Sequence, residues 1–246
     1  MLSIETKNLT KKFKEKTVVN GIELRINEGE LFALLGTNGA GKTTTIKMLS
    51  TLILPTDGEI KINGLDIIKD RQKIKEIINV SPQETAIAPN LSVKENLEFM
   101  AGVYQIPNKE EKINELVKMF KLEEVLNQKA KTLSGGWQRK VSIAIALINE
   151  PKILFLDEPT LGLDVIARKE LWNVIEKLKG KITIMYRKLL MVSQQKSLLH
   201  ISNLFWLTSC NYNSSKLRKL SYTCYGDLII SLPRLEAIFL KFLYYF

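Results

Sequence analysis

The chain has 246 residues, is 45% hydrophobic and 25% charged, and is long enough for one large α/β domain with a smaller appended part. No apolar run reaches about 18 residues and residues 1–12 lack an apolar stretch, so we expect neither a membrane span nor a signal peptide. Two cysteines are too few for a disulfide framework, which favours a reducing, cytoplasmic setting.

The net charge of +10 is distributed unevenly. Residues 1–180 carry 27 basic and 24 acidic side chains, a balance of +3, whereas residues 181–246 carry 9 basic and 2 acidic ones, a balance of +7. A basic excess is typical of proteins that bind nucleic acid or anionic membranes. Because the excess lies in the C-terminal part, we expect no nucleic-acid partner.

The N-terminal segment alternates between apolar and polar residues, which predicts short strands at residues 4–9, 18–19 and 22–26. Phe13 stands alone among lysines between the first two strands. A solitary phenylalanine can cap the edge of a core, or its ring can stack on an adenine base beside a nucleotide site. Both interpretations of Phe13 are open at this point.

The next segment carries the clearest functional pattern. Residues 31–35 form an apolar run typical of a buried strand, and apolar residues at helical spacing follow Thr44. The loop between them matches G-x-x-x-x-G-K-[ST], and this motif requires a strand before it and a helix after it. Its nine residues are Gly36, Thr37, Asn38, Gly39, Ala40, Gly41, Lys42, Thr43 and Thr44.

This loop predicts a polyphosphate site. Glycines let backbone N–H groups approach phosphate oxygens, and the helix that begins near Gly41 adds free N–H groups and the positive end of its dipole. Lys42 would reach the β- and γ-phosphates, and the Thr43 hydroxyl would complete a Mg²⁺ shell. The alternative is an ordinary glycine turn with a solvated lysine, and the flanking strand and helix argue against it.

Residues 58–64 then alternate as a strand that leads into a turn, and residues 68–79 predict a helix. Gln83 follows the strand-like stretch around Val80. A glutamine at a strand end can point into a site formed there, although most glutamines are simply solvated.

Residues 85–145 predict a helical subdomain inserted into the α/β core, because their apolar spacing is helical. Ser92, with Glu95 three residues later, predicts a capping box. Ser134 is a favourable N-cap for a later helix, and Gly135 and Gly136 would expose backbone N–H groups as a second anion site. By itself, however, Ser-Gly-Gly is a common loop sequence.

An apolar run at residues 153–156 ends in two carboxylates, Asp157 and Glu158. A buried parallel strand that delivers chemistry at its carboxyl edge has this pattern. Asp157 would hold a metal, and Glu158 would polarise the water that attacks a γ-phosphoryl group. Solvated acids at a strand end are the alternative, which the glycine loop upstream makes unfavourable.

Asp164 opens the next predicted helix, which ends at Gly180, and residues 181–185 predict a further strand. With these elements in place, the glycine loop, Gln83, the Ser-Gly-Gly segment, the two carboxylates and Asp164 resemble the ATP-binding domain of ABC transporters in order and spacing. The resemblance covers about residues 3–185. It implies a P-loop NTPase of the RecA-like kind, with an α/β core, an N-terminal antiparallel β layer and the inserted helical subdomain.

The resemblance also implies roles for single side chains, with ATP and Mg²⁺ as cofactors. Phe13 would stack on the adenine, and Gly36–Thr44 would bind the phosphates. Gln83 would sense Mg²⁺ and face a transmembrane partner. Asp157 would be the magnesium ligand and Glu158 the general base.

Four further residues would act at the interface between two subunits. In ABC transporters the Ser-Gly-Gly signature, here Ser134, Gly135 and Gly136, reaches the γ-phosphate bound by the opposite subunit, and Asp164 corresponds to an interface aspartate. The resemblance therefore implies a homodimer or heterodimer of ATP-binding domains.

The implied function is ATP binding and hydrolysis that power transport through separate transmembrane subunits, at the inner face of the cell membrane. The segment Glu158–Asp164 resembles the exporter-like branch of the family. One alternative is a nucleotide binder that does not hydrolyse ATP. Another is a non-transport ABC ATPase that acts on nucleic acid or ribosomes, but such proteins usually carry two cassettes or a long coiled-coil insertion.

The C-terminal part departs from the family. The switch histidine should fall near Leu189, but the chain's one histidine is His200, about eleven residues later. Trp137 also stands where a glutamine is common. From Tyr186 onward the resemblance ends, so residues 186–246 are predicted to be an atypical tail. Either a reading-frame shift near residues 185–187 or a diverged tail explains this, and the coding DNA distinguishes them.

Overall fold

The computed structural model describes residues 1–189, 223–225 and 228–230, which form two β-sheets and six α-helices. The strands are β1 (Leu2–Phe13), β2 (Lys16–Asn27), β3 (Leu31–Gly36), β4 (Asp57–Ile62), β5 (Leu65–Asp66), β6 (Ile78–Ser81), β7 (Ile153–Asp157), β8 (Thr183–Leu189), β9 (Thr223–Tyr225) and β10 (Leu228–Ile230). The α-helices are α1 (Lys42–Leu49), α2 (Arg71–Ile77), α3 (Val93–Val103), α4 (Lys109–Phe120), α5 (Gly135–Ala146) and α6 (Val165–Leu178).

The smaller sheet is antiparallel, with the strand order β2-β1-β4-β5. Its first two strands are longer than the sequence predicts and form one hairpin. The register between them shifts at several points, for example between Thr6 and Leu9. Such irregularities interrupt the alternation of apolar residues, which is why the pattern predicts several short strands. The antiparallel N-terminal layer itself is confirmed.

The larger sheet has the strand order β6-β7-β8-β3-β10-β9. Strands β6, β7, β8 and β3 are parallel, and β10 pairs with β3 in the antiparallel direction. The carboxyl ends of the four parallel strands therefore meet at one edge. This edge carries the glycine loop after β3, Gln83 after β6 and the two carboxylates at the end of β7, as the α/β prediction requires.

Two hydrophobic cores cover the two faces of the larger sheet. Along β7, Ile153 and Phe155 pack into the core that contains α1 and the antiparallel sheet, while Leu154 and Leu156 pack into the core formed with helices α3 to α6. Successive side chains of a strand point to opposite faces, so a strand buried on both sides is apolar throughout.

The helical subdomain predicted over residues 85–145 contains α3, α4 and α5. Its first helix begins as expected, because the Ser92 hydroxyl accepts a hydrogen bond from the Glu95 backbone N–H at 3.2 Å. The Glu95 carboxylate accepts one from the Ser92 N–H at 2.6 Å, which completes the capping box. At the C-terminal end of α6, Gly180 adopts the left-handed conformation expected for it, with φ +81°.

The predicted boundary at residue 185 lies inside β8, which continues to Leu189. Most of the predicted tail, including His200, lies outside the described residues. The two-part division of the chain and the frame-shift hypothesis therefore stay predictions. Among the helices that the structure describes, none is both long and apolar enough to cross a membrane.

Candidate functional site

The glycine loop begins at the end of β3 and enters α1 through Gly41. Gly41 has φ +82° and is the N-cap of α1. A Cβ atom at this position would lie 2.6 Å from the carbonyl oxygen of Val18. Both the positive φ and this close approach require glycine here. The N–H groups of the first turn of α1 have no partners within the helix and can bind an anion.

Lys42 is buried beneath the loop. Its Nζ donates hydrogen bonds to the carbonyl oxygens of Gly36 at 2.8 Å and Thr37 at 2.6 Å. Burial lowers the pKa of Lys42, the positive charge of Arg187 lowers it further, and the charge of Glu158 opposes both effects. The electrostatics thus connect the phosphate loop to the carboxyl ends of β7 and β8.

Asp157 and Glu158 lie at the end of β7, as predicted. Glu158 has φ +47°, in the left-handed region that non-glycine residues seldom adopt. Residues held in such conformations cluster at functional sites, where the surrounding structure maintains the strain. The strained turn lies directly after β7, and the Glu158 carboxylate is close enough to Lys42 to influence its pKa.

Arg187 joins the site residues into one network. Strand register pairs it with Asp157, and its guanidinium forms an ion pair with the Asp157 carboxylate. The same group lies 3.4 Å from Glu158 Oε1 and donates a hydrogen bond to Gln83 Oε1 at 2.8 Å. Burial lowers the pKa of Arg187. The structure therefore brings the predicted residues Gln83, Asp157 and Glu158 together around an arginine.

Sequence reasoning missed this role of Arg187, because the family resemblance ends at Tyr186 and gives the residues after it no role. Strand parity offers a partial signal, since it shows which side chains of a strand share a face but not which strands pair. Phe155 and Met185 share the core on the α1 side of the sheet, and Asp157 and Arg187 lie two residues further along the same two strands.

Arg139 of α5 is a second basic residue that the sequence did not reveal. Its guanidinium donates to the carbonyl oxygens of Pro159 at 3.1 Å and Asp157 at 2.8 Å, and also to that of Pro82. Burial lowers the pKa of Arg139 to about 10, while the charge of Glu158 opposes the shift. Arg139 thus ties the segment before Gln83 to the end of β7. The sequence signal that could have revealed Arg139 was a charged residue next to a long apolar helical stretch.

The Ser-Gly-Gly segment lies at the start of α5. Ser134 occupies the predicted N-cap position, but its side chain does not accept the expected hydrogen bond from a backbone N–H of the helix. Its hydroxyl and Gly135 are exposed. A Cβ atom on Gly136 would lie 3.0 Å from Ala167 Cβ, so this glycine allows α5 to approach α6 closely.

Phe13, Ser134 and Asp164 lie outside the network around Arg187, as the hydrogen bonds and ion pairs of the described residues show. Phe13 is at the end of β1 and 49% exposed, and Lys11 Nζ lies 5.2 Å from its ring centre. Its exposure argues against the core-capping interpretation. Asp164 accepts a hydrogen bond from the Ala167 N–H at 2.9 Å and caps α6, as predicted.

The oxygen donors near the loop are those that Mg²⁺ prefers: a hydroxyl on Thr43, an amide on Gln83 and a carboxylate on Asp157. The last two contact Arg187, so the guanidinium lies against the same oxygens that a divalent cation would use.

Comparison with known proteins identifies the family to which the chain belongs. The family model described as ABC transporter matches residues 19–161, which is more than half of the chain. The linearmycin resistance ATP-binding protein LnrL of Bacillus subtilis (strain 168) is 37% identical over 186 residues, which cover 74% of this chain and 60% of LnrL. The chain spans 11% to 60% of the length of the first curated relatives that it matches.

Two solved structures show the same fold. CbiO1 from Clostridium perfringens, described as part of the ABC transporter complex cbiONQ, has a TM-score of 0.70 and 26% identity, with 76% of this chain and 78% of CbiO1 covered. The ATP-binding cassette MJ0796, in a dimeric post-hydrolysis state bound to ADP and Pi, has a TM-score of 0.67 and 30% identity, with 75% of this chain and 87% of MJ0796 covered. The chain belongs to the family of ABC transporter ATP-binding domains, whose members are ATPases.

Proposed function

We propose that this chain binds and hydrolyses ATP to power the transport of a substrate through separate transmembrane subunits. The observation that carries the proposal is the arrangement at one sheet edge: the glycine loop that follows β3 lies at the same edge as Asp157 and Glu158 of β7, with β8 between the two strands. A phosphate-binding loop next to a strand-end carboxylate pair is the arrangement that phosphoryl transfer to water requires.

The chain's own residues supply most of this chemistry. Backbone N–H groups of the loop and of the first turn of α1 would bind the phosphates. Lys42 would exchange its bonds to Gly36 and Thr37 for phosphate oxygens. Glu158 would accept a proton from the attacking water, and its strained backbone would hold the carboxylate in position.

Thr43, Asp157 and Gln83 would hold Mg²⁺, which when bound neutralises charge on the β- and γ-phosphates. Phe13 would stack on the adenine, because its exposed ring presents an open face. Arg139 would hold the Mg²⁺ ligands Asp157 and Gln83 in position relative to each other, because it donates hydrogen bonds to the carbonyl oxygens of Asp157 and of Pro82, the residue before Gln83.

An exposed apolar surface supports a dimer of ATP-binding domains. Leu161 is 57% exposed, and Val165 and Ile166 are 71% and 73% exposed. They lie on either side of Asp164, and exposed apolar residues grouped in this way mark interaction sites. Ser134, Gly135 and Gly136 would complete the nucleotide site of the opposite subunit. MJ0796, which is dimeric, offers the structural precedent.

A second exposed surface supports a membrane partner. Phe99 and Val103 are exposed and lie four residues apart on α3, and so share one face of that helix. CbiO1, one of the structural relatives, belongs to a transporter complex. We infer that the helical subdomain docks on transmembrane subunits at the inner face of the membrane. The similarity to LnrL favours the exporter-like branch.

Nucleotide binding and hydrolysis by the purified chain test this proposal. We expect Lys42→Ala to abolish measurable ATP binding, while the exposed Lys47 on the same helix offers the matched control Lys47→Ala. We expect Glu158→Gln to retain ATP binding and lower turnover by a factor of ~10² to 10⁴, as for loss of a general base. Glu84→Gln is its control, since Glu84 is a nearby exposed acid.

Absence of ATP binding by the unaltered chain, or equal turnover in Glu158→Gln and Glu84→Gln, would contradict the proposed function. The membrane partner is tested separately. Crosslinking from a cysteine introduced at Phe99 should capture a transmembrane subunit, and crosslinking from one introduced at the exposed Lys61 should not.

A further inference from the structure

The position of Arg187 has a consequence beyond ATP hydrolysis itself. Its side chain is 12% exposed, and the guanidinium contacts three side chains from two segments: Gln83 after β6, and Asp157 and Glu158 at the end of β7. Two of these three, Gln83 and Asp157, are the residues that would hold a divalent cation. An arginine carries its charge at any ordinary pH, so the site already contains a permanent cation.

The geometry of the contacts suits a guanidinium. Its nitrogens lie against three different side chains. One terminal nitrogen donates a hydrogen bond to Gln83 Oε1 at 2.8 Å, the other lies 3.4 Å from Glu158 Oε1, and the group forms an ion pair with Asp157. Ion pairs are stronger in a partly buried site than in water. Mg²⁺ would have to displace the guanidinium from Gln83 and Asp157 to reach its ligands.

Charge balance points in the same direction. Two adjacent carboxylates in a partly buried site repel each other, and a nearby cation offsets that repulsion. In the family's chemistry a metal ion supplies part of that positive charge, whereas here Arg187 supplies it. The effect extends to the phosphate loop, because the charge of Arg187 contributes to the lowered pKa of Lys42.

We propose that Arg187 is a resident counter-cation of the Asp157–Glu158 pair, so that this chain binds nucleotide without needing Mg²⁺ and admits Mg²⁺ only by displacing the guanidinium. The proposal rests on the proposed ATP site and deepens it. Nucleotide affinity depends little on Mg²⁺, and the site binds a free divalent cation weakly.

The first test measures the affinity of the full chain for the non-hydrolysable ATP analogue AMP-PNP, once with EDTA and once with excess Mg²⁺. The two affinities of the unaltered chain should differ by less than about twofold. In Arg187→Ser, which removes the guanidinium from Gln83 and from the two carboxylates, Mg²⁺ should strengthen binding by about tenfold or more, the effect of one charge-assisted interaction.

The matched control is Arg71→Ser. Arg71 donates to the carbonyl oxygen of Thr51 at 2.7 Å, and no hydrogen bond or ion pair among the described residues joins it to the site, so the variant removes one positive charge elsewhere. Its response to Mg²⁺ should equal that of the unaltered chain. A second measurement follows Mn²⁺ binding by electron paramagnetic resonance in the absence of nucleotide, where Arg187→Ser should bind Mn²⁺ at least about tenfold more tightly.

The outcomes separate this inference from the proposed function. A strong Mg²⁺ requirement in the unaltered chain would overturn the counter-cation role, even if Arg187→Ser failed to fold. Absence of AMP-PNP binding under both conditions would overturn the ATP site instead. The Mn²⁺ comparison would then decide the role of Arg187, and equal Mn²⁺ affinity in the unaltered chain and in Arg187→Ser would reject it.

Discussion

The phosphate loop and the acidic edge of the larger sheet, which we define as Gln83, Asp157, Glu158 and Arg187, are neighbouring regions built in different ways. The loop consists of nine consecutive residues between β3 and α1, and its shape follows from glycines and a helix start. The acidic edge draws its side chains from three separate segments, and strand register and Arg139 hold them together. A continuous motif therefore determines its geometry locally, whereas an assembled site depends on packing elsewhere.

Replacement of Arg139 should have the largest effect, and it should impair the acidic edge while leaving the phosphate loop intact. Arg139→Met removes the donor for carbonyl oxygens of Pro82, Asp157 and Pro159, and buried carbonyls without a partner are costly. We expect the free energy of unfolding to fall by about 3 to 4 kcal/mol. Turnover should fall as well, while ATP affinity, which depends on the loop, changes little.

Urea unfolding and nucleotide titration check this prediction, with Arg71→Met as the control. Arg71 makes one hydrogen bond to a carbonyl, so that variant should lose only about 1 kcal/mol. If Arg139→Met weakened ATP binding as much as turnover, the two regions would not be independent.

Alanine substitutions at two glycines test whether the phosphate loop depends on its own backbone geometry. Gly41→Ala combines a positive φ with a Cβ atom 2.6 Å from Val18 O, whereas Gly39→Ala has a similar φ of +84° and open space around it. We expect losses of about 2 to 3 kcal/mol and about 1 kcal/mol, respectively. Thermal unfolding measures both, and ATP affinity should fall more in Gly41→Ala. Equal losses would show that backbone strain alone matters at Gly41.

A helix cap outside both regions should have the smallest effect. Ser92→Ala removes the hydroxyl that accepts from the Glu95 N–H, and should lower the free energy of unfolding by about 1 kcal/mol. Ser134→Ala is the control, because that side chain makes no cap hydrogen bond and its loss should cost less. Neither change should alter ATP affinity in the monomer, and chemical denaturation at neutral pH compares the two.

The capping box also predicts a pH dependence. The hydrogen bonds from the backbone and side chain of Ser92 lower the pKa of Glu95 below its usual value. A carboxyl group whose pKa is lowered in the folded state stabilises the fold at pH values above its ordinary pKa. This contribution is lost as the pH falls through the folded-state pKa. The stability difference between the unaltered chain and Ser92→Ala should therefore shrink in acid.

The sequence predicted those features that depend on neighbouring residues. The glycine loop, the strand-end position of Asp157 and Glu158, the cap at Ser92 and the helix from Asp164 to Gly180 all lie within short segments, and the structure has each of them. The α/β core with an antiparallel N-terminal layer followed from the order of such segments. The roles of the site residues in ATP chemistry stay predictions until nucleotide binding is measured.

Only the tertiary structure decided what surrounds the two carboxylates. No local pattern shows that β8 pairs with β7 in the register that sets Arg187 beside Asp157, or that α5 turns Arg139 toward the backbone of two distant segments. Pairing between strands far apart in the chain is set by the packing of the whole sheet. The sequence therefore determined that the chain has a nucleotide loop, and the fold determined that an arginine lies against the carboxylates at the same sheet edge.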